Sequence, residues 1–214
     1  MSLTLQKIQK AFASLGHTLK DLISGKKHLR MRILLCLMLV FALMEGCIAY
    51  LARPGKKLDE EVLAYKDTIQ KYAGEYGILH DTDLLLAILQ VESAGGTNDV
   101  MQSSESLGLD PGTLEAEESI EQACRYFSIL ESQGNDLHVD EDTIIQAYNY
   151  GPGFITWIAD NGGSYSPELS KEYAKEKSGG KTVAYVNPIS IQQNGGWIYS
   201  YGNMFYVQLI HQYY

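Results

Sequence analysis

Residues 82–96 read TDLLLAILQVESAGG, and the rest of the chain is best understood from this stretch. Leu84, Leu85, Leu86, Ala87, Ile88, Leu89 and Val91 leave a helix here with no polar face, the pattern of a helix buried on all sides. Asp81 or Thr82 opens it, and Ala94, Gly95 and Gly96 stop it. Glu92 falls in its last turn. An acid there meets the negative end of the helix dipole and loses water to apolar neighbours, and both effects disfavour the carboxylate. A carboxyl group that stays protonated near neutral pH can act as a general acid toward a leaving-group oxygen. The alternative is a glutamate that turns outward at a frayed helix end.

Charge divides the 214-residue chain in two. Residues 1–52 carry seven Lys or Arg against two acids, net +5, and residues 53–214 carry ten against twenty-four, net −14. The basic part flanks a twenty-residue apolar run, 33–52, broken only by Glu45 and Gly46. That length matches the roughly 20 residues needed to cross a bilayer. Lys20, Lys26, Lys27, Arg30 and Arg32 precede it, so the positive-inside rule puts the N-terminus in the cytoplasm and the acidic remainder outside. Two rival readings are a cleaved signal peptide, for which the 32-residue lead is long, and lipid attachment at Cys47. Glu45 is costly in a bilayer unless it sits at the interface or is paired.

Before this run, Leu5, Ile8, Phe12, Leu15, Leu19 and Leu22 recur at alternating three- and four-residue steps among lysines. The pattern predicts a basic amphipathic helix, suited to the anionic inner leaflet or to a partner helix. Beyond the run, Val62, Tyr65, Ile69, Tyr72 and Tyr76 predict a helix over about 58–76. Ile120, Cys124, Phe127 and Leu130 predict another, ended by Gly134, and Asp140 caps one through Ile144, Ile145 and Tyr148. Gly151-Pro152-Gly153 breaks that helix, a short one carries Ile155, Trp157 and Ile158, and Ser166-Pro167-Glu168 starts the next. Residues 182–200 look extended, and a last helix starts near Asn203. The fold class is therefore mostly α. The expected organisation is a cytoplasmic basic segment over 1–32, a transmembrane helix over 33–52, a linker over 53–57 and a folded domain over 58–214.

Three further motifs carry a resemblance. Residues 90–111 read QVESAGGTNDVMQSSESLGLDP, residues 147–153 read AYNYGPG, and the chain closes YGNMFYVQLIHQYY. Together they resemble the lysozyme-like superfamily of goose-type lysozymes and soluble lytic transglycosylases. The similarity is greatest to the muramidase domain of cell-wall hydrolases from Gram-positive bacteria and their conjugative elements. It covers about residues 58–214. The resemblance implies a lysozyme-like fold and a peptidoglycan glycan substrate. It also implies that Glu92 is the acid on the bond between N-acetylmuramic acid and N-acetylglucosamine. Gln102, Ser103, Ser104, Glu105, Tyr148 and Asn149 match cleft positions of the family, and Tyr206 matches a late tyrosine that faces the acid. Read without the resemblance, 102–106 is equally an ordinary loop, Tyr148 a core aromatic and 151–153 a plain helix breaker.

The second catalytic group stays open. Glycosidases commonly use two carboxylates, and Asp99 and Glu105 are near Glu92 in sequence. Water held by either acid, or by a hydroxyl such as Ser103, gives hydrolysis. Attack by the muramic 6-hydroxyl gives a 1,6-anhydro product with one glutamate as acid and then base. The resembled branch is described as hydrolytic, which favours the first. A non-catalytic peptidoglycan-binding protein is the third reading, and a desolvated Glu92 argues against it. No cofactor is implied. His80, His138 and His211 are far apart in sequence, with no metal-ligand spacing. A net charge of −14 on the outer domain disfavours nucleic acid as a partner. Cys124 is alone in that domain, so no disulfide staples it, and no peptidase segment for cutting peptide cross-links is expected.

Overall fold

A computed structural model describes residues 55–214, together with Met38, Val40 and Phe41. The expected helices over 1–32 and 33–52 lie outside the described residues. Among the described residues no helix is long and apolar enough to cross a membrane. Residues from Gly55 onward form a compact unit of their own.

Helices α1 (Glu60–Leu63), α2 (Lys66–Glu75), α3 (Thr82–Glu92), α4 (Ala116–Asp136), α5 (Glu141–Tyr150), α6 (Gly153–Asp160) and α7 (Pro167–Lys177) come first. They are followed by β1 (Thr182–Ala184), α8 (Pro188–Asn194), β2 (Trp197–Tyr199) and α9 (Tyr206–Ile210). The apolar helix is the centre, as its pattern predicts. Every residue of α3 from Leu84 to Leu89 is buried, with α1 and α2 packed on one side and α9 on another. Helix α2 also packs on the long amphipathic α4, which packs on α5. Cys124 is a buried member of this core, and burial pushes its thiol up to about 12.

The cap signals act as the sequence predicts. Asp140 accepts a hydrogen bond from the Thr143 amide at 3.1 Å, and Ser166 accepts one from the Leu169 amide at 3.1 Å. Four boundary expectations are corrected. The helix expected over 58–76 is two helices, because the chain turns at Ala64 and Tyr65. Residues 182–200 are not extended throughout. Two three-residue strands pair antiparallel, Thr182 with Tyr199 and Ala184 with Trp197, and α8 lies between them. The helix is nucleated locally: the Asn187 side chain accepts from the Ile189 amide at 2.9 Å, and the Ser190 hydroxyl accepts from the Asn187 amide at 3.2 Å. The final helix begins at Tyr206 rather than Asn203.

Gly134 is the fourth correction. It does not end its helix, which continues to Asp136. A Cβ at Gly134 would stand 2.6 Å from Cγ1 and 2.7 Å from Cδ1 of Ile144, so the residue is glycine because α5 crosses α4 there. An exposed helical Gly→Ala change gains about 1 kcal/mol of propensity. Here the overlap reverses the sign: Gly134→Ala should lower stability by about 1–3 kcal/mol, read as a lower urea midpoint at unchanged m-value.

Candidate active site

The end of α3 opens into a cleft of about 440 Å³. Glu92, Gln102, Ser103, Glu105, Ser106, Tyr126, Tyr148, Asn149, Tyr150 and Gly151 line it. No lysine or arginine is among these residues, so the cleft offers amides, hydroxyls, aromatic faces and two acids.

Glu92 is half-buried, and its pKa is raised to about 7. Burial is the main cause. The Tyr206 hydroxyl, donating to Oε1 at 2.6 Å, opposes the rise, and the charges of Asp99 and Glu105 add to it. Tyr206 has little freedom to leave this position. It is 2 % exposed, and its ring stacks on Tyr148 with centroids 6.5 Å apart and planes 8° from parallel. The preceding loop is tied to α5, where the Asn203 amide donates to Asn149 Oδ1 at 2.6 Å and Gln146 Nε2 donates to the Asn203 carbonyl at 3.0 Å. Gly202, at φ 52°, allows this approach, since a Cβ there would lie 2.5 Å from Asn149 Oδ1. Two segments 114 residues apart thus converge on one carboxyl group.

The loop after Glu92 is built around a second acid. Asp99 is fully buried. It accepts from the amides of Ser103 at 2.9 Å and Ser104 at 3.1 Å, and from the hydroxyls of Ser104 at 2.5 Å and Ser119 at 2.6 Å. Burial by itself would raise its pKa. The Ser104 and Ser119 hydroxyls and the two amides outweigh that, and the net shift is downward. With its oxygens committed and no access to the cleft, Asp99 cannot hold an attacking water. Ser93 anchors the same loop, donating to the Val100 carbonyl at 2.7 Å and accepting from the Gly95 amide at 3.0 Å.

The residues expected at the cleft separate into two groups. Gln102, Ser103, Glu105, Tyr148 and Asn149 line it beside Glu92. Gln102 adopts φ 48°, and its side-chain amide donates to the Asp99 carbonyl at 2.7 Å, which fixes it at the cleft wall. Ser103 is nearly buried, and its hydroxyl donates to the Ser119 carbonyl at 2.9 Å. Ser104 is not at the cleft. It is fully buried, and besides binding Asp99 it accepts from the amides of Thr113 and Leu114, each at 3.1 Å. Tyr148 meets both of its readings, as a core aromatic whose hydroxyl donates to the Met101 carbonyl at 2.9 Å and as a cleft wall. Tyr126, Ser106, Tyr150 and Gly151 also line the cleft without having been expected there. Tyr126 stands 5.7 Å from Tyr148, ring to ring. Its one sequence signal is weak, an aromatic residue flanking the apolar stripe at Cys124 and Phe127.

Asp99 carries a pH dependence whose sign follows from its lowered pKa. The folded state binds fewer protons than the unfolded one as pH falls through the ordinary aspartate range, so the stabilisation is complete above that range and lost below it. Asp99→Asn should therefore destabilise the domain by about 2–4 kcal/mol near neutral pH. The difference from the parent should shrink as pH falls below about 4, measured by denaturant titration at a series of pH values.

The family model described as lysozyme-like matches residues 59–214. The uncharacterized membrane protein YocA of Bacillus subtilis (strain 168) is 37 % identical over 119 residues, 55 % of this chain and 53 % of that one. The pneumococcal vaccine antigen A homolog of Streptococcus pyogenes serotype M1 is 32 % identical over 160 residues, 71 % of this chain and 80 % of that one. The bifunctional muramidase/DL-endopeptidase CwlT of Bacillus subtilis (strain 168) is 34 % identical over 117 residues, 54 % of this chain and 34 % of that protein. A crystal structure of a protein similar to lipoprotein, NLP/P60 family (SAV0400), from Staphylococcus aureus subsp. aureus Mu50 has a TM-score of 0.73 and 52 % identity. That match covers 74 % of this chain and 54 % of the other. The chain spans about half the length of YocA and of the staphylococcal protein. With the helical core, the cleft at the end of α3 and a family match running from Asp59 to the last residue, the chain belongs to the lysozyme-like family.

Proposed function

We propose that the protein is a peptidoglycan hydrolase, an N-acetylmuramidase that cleaves the bond between N-acetylmuramic acid and N-acetylglucosamine with Glu92 as general acid. The observation that carries this reading is the Tyr206–Glu92 pair: a carboxyl group with a pKa near 7 at the wall of an open polar cleft. Such a group keeps a substantial protonated fraction at neutral pH, where an ordinary glutamate has almost none, and can deliver its proton to a glycosidic oxygen. The amides of Gln102 and Asn149 suit sugar hydroxyls and N-acetyl groups, and the rings of Tyr126 and Tyr148 suit pyranose faces. The muramidase activity printed in the name of CwlT agrees with this substrate class.

Proton donation leaves an oxocarbenium-like centre that a nucleophile must trap. Asp99 is committed to the loop, so Glu105 is the remaining carboxylate among the lining residues. In the hydrolytic reading Glu105 holds and activates the water. The single desolvated acid also suits the transglycosylase reading, in which Glu92 returns as base to the 6-hydroxyl of the same muramic residue. The two routes differ by one water in the product. We further propose that residues 33–52 anchor the chain in the cell membrane with the N-terminus cytoplasmic and the domain outside. The Lys56 amide already donates to the Gln212 carbonyl at 2.6 Å, so the domain begins there. Three spacer residues, 53–55, reach only about 10 Å, which confines action to glycan next to the membrane.

Digestion of purified peptidoglycan, with products reduced by borohydride and weighed by mass spectrometry, tests the reading. Reducible muramic ends are expected, and Glu92→Gln should lower the rate at least about 100-fold with the fold intact. A folded Glu92→Gln protein that keeps its rate overturns the assignment. Anhydro products overturn hydrolysis and spare Glu92.

The pH profile tests the pair separately. Because the protonated form acts, kcat/KM should fall as pH rises through about 7. Tyr206→Phe removes the hydrogen bond that favours the carboxylate, so the falling limb should move to higher pH. A limb that stays in place, or moves down, means that the limiting group is not Glu92.

A further inference from the structure

A second group of titratable side chains lies at the other end of the acid-bearing helix. His80 and Asp81 form the turn that enters α3, and Glu131 reaches them from α4. His80 Nε2 is 3.0 Å from Glu131 Oε1, to which it hydrogen-bonds, and 3.3 Å from Asp81 Oδ2. All three ligand-type atoms fall within 4.8 Å of one another. Asp81 occupies the N-cap position of α3, yet its side chain makes no capping bond. Its carboxylate is turned toward His80, and Oδ2 is buried without a hydrogen-bond partner. The side chain is only 9 % exposed. A carboxylate oxygen so placed is costly unless a cation meets it, and without a bound ion only a protonated His80, in ion-pair range but not hydrogen-bonded to it, can do so.

We infer that His80, Asp81 and Glu131 form a structural site for a divalent transition-metal ion of zinc's class, fastening the start of α3 to α4. Around a tetrahedral ion with bonds of about 2.0–2.2 Å, ligand atoms stand about 3.3–3.5 Å apart. The two distances from His80 Nε2, 3.0 and 3.3 Å, are close to that spacing. One neutral imidazole and two carboxylates balance a 2+ charge. The imidazole nitrogen selects zinc over magnesium or calcium, which prefer all-oxygen shells. The ion would take the place of the Nε2 proton and give Asp81 Oδ2 the partner it lacks. The His80 side chain is 66 % exposed, which leaves a path for entry and room for a water as fourth ligand. Nothing in this site touches the cleft residues, so it does not depend on the reading of Glu92.

Calorimetric titration of the full-length chain with zinc chloride, repeated with magnesium chloride, tests the site, with thermal unfolding followed in parallel. Zinc should bind and raise the melting temperature, as a ligand of the folded state must, and magnesium should do neither. His80→Ala and Glu131→Gln should each weaken this binding by about tenfold or more and abolish the thermal shift. His80 is exposed and Glu131→Gln keeps the side chain's shape, so both variants should fold, which circular dichroism checks. His211→Ala, at the separate His211–Asp142 pair, should leave binding and shift unchanged. Absence of zinc binding, equal binding by His80→Ala and Glu131→Gln, or loss of binding in His211→Ala would each overturn the proposal.

Discussion

Removing one carboxyl group from water is the constraint on which this domain turns. Glu92 ends a helix whose other residues form the centre of the core, so its position is set by the burial of Leu84 to Leu89 and cannot drift. Each leucine and isoleucine among them contributes about 1.5–3 kcal/mol by burial, ample to hold one acid in a place it disfavours. The tyrosine from the last helix keeps the cost bounded. Its hydrogen bond offsets part of the desolvation and leaves the pKa near 7, where proton donation and proton recovery are both accessible.

Asp99 shows how environment divides the labour between two acids. It is less exposed to solvent than Glu92, yet its pKa is lowered while that of Glu92 is raised. The difference is the number of donors. Four hydrogen bonds converge on Asp99, whereas Glu92 receives one from Tyr206. The first acid therefore stays charged and shapes the loop that carries Gln102 and Ser103, and the second titrates near neutrality and faces the cleft.

Sequence and structure part company where local signals serve two purposes. Gly134 has the composition of a helix stop, but its lack of a side chain serves the crossing of α4 and α5. The β-branched residues of 182–200 suggest extension, yet Asn187, Pro188 and Ser190 cap a helix between the two short strands. Ser103 and Ser104 are neighbours of one residue type. One borders the cleft and the other is sealed inside, because Asp99 collects both amides but only the Ser104 hydroxyl.

Much was nonetheless written in the chain itself. The all-apolar period of α3, the caps at Asp140 and Ser166 and the position of Glu92 at a helix end are local, since each depends on residues within a turn or two. So is the amphipathic stripe of α4. What only the tertiary structure decided are the meetings across long separations: Tyr206 with Glu92 over 114 residues, Ser119 with Asp99 over 20, and Glu131 with His80 over 51. No period or spacing encodes these, because helix packing chooses them after the helices exist. The chemistry of the candidate site resides in those meetings, since a pKa is a property of the surroundings that folding assembles, not of the residue that bears it.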